Sequence, residues 1–218
     1  MILSSHIRSG SIFVCIFSVS RNSYLKMKKI TLFLLSFILV SYSFAQRVEN
    51  FQLMDAVSGQ EFSLASHGEA KAVVLVFTSL NCPFSKLYEE RISSLNSQFA
   101  GEGFVFAMIN PHVGIEEEET SAGMKARASE KNLSIPFLED GNQEVTKQFG
   151  ITKLPEVVVI TPGPTGFAVV YRGAIDNNPQ MAENANLKYL ESALTAIQNR
   201  RSPSPSSSRA VGCNVKLR

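Results

Sequence analysis

Residues 72–77 read Ala-Val-Val-Leu-Val-Phe and run through Thr78-Ser79-Leu80-Asn81 into Cys82-Pro83. This junction constrains the fold more than any other stretch. A continuous Val-rich apolar run suits a strand buried on both faces, as in a parallel sheet. Pro83 suits the first turn of a helix, where its missing N–H costs nothing. Beyond it Leu87, Arg91, Ile92, Leu95 and Phe99 recur at helical spacing and, apart from Arg91, form one apolar face. Gly101 and Gly103 stop that helix. A cysteine therefore stands where a central strand hands over to a helix.

The rest of the chain builds around that unit. Residues 47–64 predict two short strands about a Ser58-Gly59 turn, with Phe51, Leu53, Phe62 and Leu64 alternating with polar residues. Residues 65–71 read as a polar loop. Residues 104–109 predict a second buried strand, ending in Asn110-Pro111-His112. A helix is expected over 116–131, its acids Glu116–Glu119 forming a solvated first turn that suits the helix dipole. A short extended piece at 135–138, a turn and a helix at 143–149 closed by Gly150 follow. Strands at 157–160 and 167–172 flank a Pro/Gly-rich loop, and a last amphipathic helix spans about 185–199 with Leu187, Leu190, Leu194 and Ile197. The expected fold class is α/β, a mixed central sheet flanked by helices with an N-terminal strand extension.

The two ends stand apart from this domain. Lys26, Lys28 and Lys29 precede the apolar run 30–40 and the small residues Ser43 and Ala45. That order reads as a secretory signal peptide over 1–45, with Met27 the expected start and cleavage near Ala45. Export to a periplasmic or extracellular compartment follows, with no membrane attachment after cleavage. The domain is expected over 46–200. Residues 201–218 hold a flexible Ser/Pro linker, Ser-Pro-Ser-Pro-Ser-Ser-Ser at 202–208, and a tail containing Cys213.

Removing the leader changes the charge. The chain carries +2, but the leader takes five basic residues and no acid, so the remainder holds 16 Lys and Arg against 19 Asp and Glu, a net −3. No nucleic-acid-binding patch is expected from that balance. No Gly-rich phosphate loop or haem motif is present, so no cofactor is expected, and the scattered His and Cys do not suit a metal site. Cys15 leaves with the leader, which leaves Cys82 and Cys213 to meet an oxidising compartment.

Cys82 is placed to react. Active groups of open α/β sheets collect at the carboxyl ends of strands, and a helix N-terminus favours thiolate over thiol. Ser85 lies one helical turn on, where its hydroxyl could bond the sulfur; a C-x-x-C motif would put a resolving thiol there. Cys82 must then act alone or borrow a thiol.

Thr78-Ser79-Leu80-Asn81-Cys82-Pro83-Phe84-Ser85 resembles the nucleophile loop of the peroxiredoxin-like branch of the thioredoxin superfamily, the alkyl hydroperoxide reductase/thiol-specific antioxidant type. Lys153-Leu154-Pro155-Glu156 is similar to that family's cis-proline loop, and residues 169–176 to the strand and turn after it. The likeness spans about 47–200. It implies a thioredoxin-like fold with Cys82 as the peroxidatic or attacking cysteine. It also implies a cis Pro155 beside the sulfur, leaving the Leu154 backbone free to pair with a substrate strand. The substrate it implies is a peroxide or a protein disulfide, with a thiol reductant that the sequence does not name. The expected catalytic residues are Cys82, Cys213, Ser85 and Ser79; the expected substrate-binding residues are Pro83, Leu154, Pro155 and Asn110.

The family signature is incomplete. Leu75 stands where its proline falls, Ser79 where its threonine falls, and no arginine lies near Leu154-Pro155; Lys153 or Arg172 is the candidate substitute. Cys213 has three readings: a resolving thiol that condenses with a sulfenic acid on Cys82, a static structural bridge, or an incidental tail thiol. His112 either pairs with Cys82 or is a water-exposed loop histidine; His67 reads as a loop residue. Phe84 either shapes an apolar lip or covers the helix end. Three functions compete: a peroxidase, a thiol–disulfide oxidoreductase acting on exported proteins, and a non-enzymatic binding or metal-delivery module.

Overall fold

The computed structural model describes residues 47–218. The leader, Cys15 and the start at Met27 lie outside the described residues. The Val-rich run forms β4 (Ala72–Phe77), with every residue buried. It pairs in parallel with β5 (Phe104–Asn110), which pairs in parallel with β6 (Phe137–Glu139). On its other side β4 pairs antiparallel with β8 (Glu156–Gly163), then β9 (Gly166–Gly173) and the edge strand β1 (Arg47–Val48). The six-stranded order is β1-β9-β8-β4-β5-β6. The β8–β9 hairpin therefore enters the sheet beside the central strand. Its strands outrun the expected ones and leave only Pro164 and Thr165 between them.

Strand alternation sorts the core onto two faces. Val74 and Val76 pack with Phe106, Met108 and Val159, beneath α1 (Pro83–Phe99), α2 (Ser121–Glu130) and α4 (Tyr189–Gln198). Val73, Leu75 and Phe77 face Ile109, Val158, the short α3 (Glu144–Phe149) and the hairpin of β2 (Gln52–Met54) and β3 (Glu61–Ser63). Each fully buried Val, Leu or Phe here is worth about 1.5–3 kcal/mol relative to exposure. The alkyl and aromatic density around β4 is what fixes the strand end that carries the cysteine.

The helix boundaries differ from the expected ones for local reasons. Leu87 is 46% exposed, and the buried stripe of α1 is instead Tyr88, Ile92, Leu95 and Phe99. Tyr88 takes the inward place because its hydroxyl donates to Asp176 at 2.9 Å, beside the Arg91–Asp176 ion pair at 2.7 Å. After α1 a 3-10 turn over Ala100–Glu102 ends at Gly103, whose φ of 90° is left-handed. Residues 64–67, expected as the end of a strand at Leu64 and a loop from 65, form another 3-10 turn. Helix α2 starts at Ser121, later than expected, because the Thr120 side chain accepts from the Gly123 N–H and caps it there. Leu187 lies outside α4 and is exposed.

Candidate functional site

Cys82 is the N-cap of α1, and Pro83 occupies the first helical position. The Val-rich strand ends five residues earlier, so the sulfur sits at the carboxyl edge of the parallel strands. The loop is tied down: the Thr78 N–H donates to Ile109 C=O at 2.8 Å, and the Ser79 N–H donates to Ser85 Oγ at 3.4 Å. Ser85 and Ser79 are thus brought together, both buried, and the recorded partner of the Ser85 hydroxyl is the loop backbone. Phe84 is half-buried against the core that contains Phe51 and Phe77.

Cys82 is bonded to Cys213, with their Cα atoms 6.0 Å apart across 131 residues of chain. Cys82 is only 3% exposed and Cys213 partly so. The incidental unpaired tail thiol is thereby set aside. Cys82 Sγ also lies 3.3 Å from the Leu154 carbonyl oxygen. In the disulfide this is a packing contact, because the sulfur has no proton. In the reduced protein the same oxygen can accept from the thiol, which opposes the helix N-terminus in setting thiolate content.

The tail reaches Cys82 by adding a strand. The Leu154–Pro155 peptide is cis. Just before it, β7 (Lys153–Leu154) pairs antiparallel with β10 (Cys213–Asn214), Cys213 opposite Leu154. The Leu154 backbone, expected to meet a substrate strand, thus pairs with the chain's own tail. Gly212 permits this approach: a Cβ there would collide with the Leu154 carbonyl oxygen and crowd Pro155 N at 3.2 Å. The Ser/Pro segment is also anchored, where a flexible linker was expected. Ser206 C=O accepts from the Arg172 N–H, Ser208 N–H donates to Arg172 C=O, and Ser208 Oγ lies 2.6 Å from the Tyr171 hydroxyl. Hydroxyl side chains can satisfy backbone groups locally, and composition alone does not reveal that.

A second set of residues holds the end of the tail. His112 is 3% exposed, so neither a water-exposed histidine nor a partner of Cys82 is what the structure records. Its Nε2 accepts from the Lys216 N–H at 2.9 Å. Gln143 donates to the Lys216 C=O at 2.7 Å and accepts from the Arg218 N–H at 3.0 Å. Lys216 Nζ pairs with Glu116 at 2.8 Å. Burial pushes the His112 imidazole below its ordinary 6.5, against the pull of Glu119 and Glu116 and with help from Lys216. The Lys216 ammonium holds Glu116 below the usual carboxylate range, against the opposing effect of burial and with help from Asn81 and His112.

Glu119 overturns the reading of 116–119 as a solvated helix turn. It is fully buried, and its carboxylate accepts from the Leu80 N–H at 3.0 Å, the Asn81 N–H at 2.8 Å and Asn110 Nδ2 at 2.7 Å. Asn110, expected to bind substrate, is fully buried between Glu119 and the His112 N–H, which leaves it no face for a ligand. Of the other expected substrate residues, Pro83 is exposed and Leu154 and Pro155 are buried under the tail strand. The candidate substitutes for the missing arginine are occupied: Arg172 donates to Glu156 and Gly150 C=O, and Lys153 Nζ donates to Asn214 Oδ1. Among the described residues, no three His, Cys, Asp or Glu side chains converge as metal ligands would.

A mixed sheet flanked by helices, with a cysteine capping the first long helix opposite a cis X–Pro peptide, defines a thioredoxin-like thiol protein. The AhpC/TSA family profile matches residues 44–176, and the chain belongs to that family. No curated protein matches the chain significantly. Among solved structures, a hypothetical protein from Sinorhizobium meliloti 1021 is 26% identical with a TM-score of 0.72, covering 82% of this chain and 96% of its own. An uncharacterized conserved protein from Geobacillus kaustophilus is 24% identical with a TM-score of 0.73, covering 82% and 94%. Peroxidoxin BcpB from Mycobacterium tuberculosis shares the fold at 20% identity and a TM-score of 0.54, covering 72% and 97%.

Proposed function

We propose that the protein is a two-cysteine thiol peroxidase of an exported compartment, with Cys82 the attacking thiol and Cys213 the resolving one. The carrying observation is the tail strand that brings Cys213 onto Cys82 beside Leu154. Membership of the AhpC/TSA family supports peroxide as the oxidant, and the leader pattern of residues 26–45 supports an oxidising setting. In the first step the Cys82 thiolate attacks one peroxide oxygen. The O–O bond breaks, the alkoxide or hydroxide leaves and takes a proton from water, and Cys82 becomes a sulfenic acid. The Cys213 thiolate then attacks that sulfur, hydroxide leaves and is protonated to water, and the disulfide forms. An external dithiol returns both cysteines to thiols by exchange.

A second reading is favoured by two observations. The residues offered in place of the family arginine are engaged elsewhere, and the Leu154 backbone accepts an extended strand. In this reading the oxidant is a protein disulfide, and Cys82 attacks its sulfur and expels a thiolate. The metal-delivery module has no support from the described residues.

The test uses the chain from Gln46 with Cys213→Ser. Treated with hydrogen peroxide and a sulfenic-acid-specific nucleophile, the variant should accumulate one adduct on Cys82, whereas the native sequence should give the Cys82–Cys213 disulfide and no adduct. Absence of the adduct, together with a mixed disulfide formed readily from a small-molecule disulfide, would move the assignment to the second reading.

A further inference from the structure

Two of the backbone amides immediately before the nucleophile are spoken for by a side chain from another part of the chain. The Leu80 and Asn81 N–H groups both donate to the Glu119 carboxylate, which lies more than 35 residues away in sequence and has no exposed surface. Its remaining partner is Asn110 Nδ2, at the end of β5, and Asn110 Oδ1 in turn accepts from the His112 N–H. His112 then accepts from the Lys216 N–H of the tail. Glu116, on the same loop, accepts from Asn81 Nδ2 at 3.2 Å and from Lys216 Nζ. The segment 110–119 therefore grips the residues before Cys82 with two carboxylates, Glu119 and Glu116, and the residues after Cys213 with His112 and Glu116.

We infer that Glu119 is a positioning residue for the Cys82–Cys213 couple: it fixes the loop that presents Cys82 and, through Asn110 and His112, registers it against the tail that carries Cys213. Three donors converge on two oxygens, which is the acceptor-only pattern of a carboxylate. Short hydrogen bonds of this kind hold a buried loop in one geometry, and an effective concentration between two thiols depends on such pre-organisation. The carboxylate also opposes a thiolate on the adjoining residue and occupies amides that would otherwise be free to turn toward it. Glu119 does not touch the sulfur bond; it acts through the Leu80–Asn81 backbone. The inference rests on Cys82 and Cys213 cycling between thiol and disulfide, but it does not depend on which oxidant drives the cycle.

Glu119→Gln keeps the shape and removes the charge, leaving an amide that must point a donor at donors. With the variant equilibrated in reduced and oxidised glutathione, the effective concentration of the Cys213 thiol at Cys82 should fall by about tenfold or more, from loss of charge-assisted hydrogen bonds. In the Cys213→Ser background, the pH midpoint for Cys82 alkylation should move down when Glu119→Gln is added, because a negative charge beside the thiolate is gone. A role in folding alone would lower the melting temperature and leave that midpoint in place. A folded variant with both quantities unchanged overturns the inference. If Glu119→Gln does not fold, amide hydrogen exchange on the native protein decides instead: strong protection of the Leu80 and Asn81 amides in both redox forms is expected, and rapid exchange in the reduced form overturns the inference. None of these readouts uses peroxide turnover, so a protein inert to peroxide would defeat the proposed function without bearing on this result.

Discussion

Replacing Gly212 by alanine tests the seat of the tail strand with one methyl group. The added Cβ would collide with the Leu154 carbonyl oxygen and crowd the Pro155 nitrogen, and both are backbone atoms held under the core. Neither can swing aside as a flexible side chain would. The tail must therefore lift, and lifting forfeits the Val215 N–H bond to Thr152 C=O at 3.0 Å, the Lys216 N–H bond to His112 at 2.9 Å and the Gln143 bond to Lys216 C=O at 2.7 Å. At about 1 kcal/mol net for each hydrogen bond the loss is about 3 kcal/mol. Since about 1.4 kcal/mol is tenfold in an equilibrium constant, the effective concentration of the Cys213 thiol at Cys82 should drop on the order of 100-fold. The assay equilibrates Gly212→Ala with a glutathione redox buffer, quenches in acid and measures the disulfide fraction by intact mass. A redox equilibrium within threefold of the native value would refute the steric reasoning and the strand seat with it.

Tail docking should also weaken in acid. His112 accepts from the Lys216 N–H only while its Nε2 is unprotonated, and burial has lowered its pKa. The undocked form therefore binds the proton more tightly, so docking strength is full above about pH 6.5 and is lost as pH falls below it; the lowered Glu116 adds a further loss below about 4.5. NMR titration of the tail amides in Cys213→Ser should show this release, and His112→Gln, which keeps an acceptor, should abolish the first stage. At Asp176→Asn, Arg91 loses its charge partner and Tyr88 a carboxylate acceptor. Arg91 keeps carbonyls of Asn178 and Pro179, so urea unfolding should show a cost of about 2–3 kcal/mol, below the full cost of a broken buried pair; a change under about 0.5 kcal/mol, in the range of ordinary surface substitutions, would contradict that reading. Tyr171→Phe should cost about 1 kcal/mol, because its hydroxyl donates to Ala174 C=O at 2.6 Å and also contacts Ser208.

The strand–Cys–Pro–helix junction was legible because each part has a local signature: a Val-rich run, a proline tolerated only in the first turn, and a repeating apolar stripe. Leu87 was misplaced because apolarity alone fixed the stripe, whereas the Tyr88–Asp176–Arg91 contacts rotate the helix. Glu119 escaped notice for a related reason. Its neighbours Glu116, Glu117 and Glu118 read as a solvated run, and nothing in the spacing marks the one acid whose partners come from residues 80, 81 and 110. Charge runs are usually hydrated, so a buried member is visible only once the chain brings distant amides to it. The tail was legible as a thiol but not as a strand. Ser-Pro repeats suggest freedom, and the groups that hold 206–208 belong to β9 and the turn after it. His112 was likewise undecided until Lys216, more than 100 residues on, supplied its partner.

The central claim is that peroxide oxidises Cys82 and Cys213 then closes the disulfide. It is tested most directly on the chain from Gln46, freshly reduced and mixed in stopped flow with hydrogen peroxide or with a small-molecule disulfide. Intact mass and peptide mapping then identify the product. Oxidation of Cys82 by peroxide well above the rate of free cysteine, ending in the Cys82–Cys213 disulfide, is the expected result. A peroxide rate no better than free cysteine, beside rapid exchange with the disulfide, would contradict the peroxidase and leave a thiol–disulfide oxidoreductase.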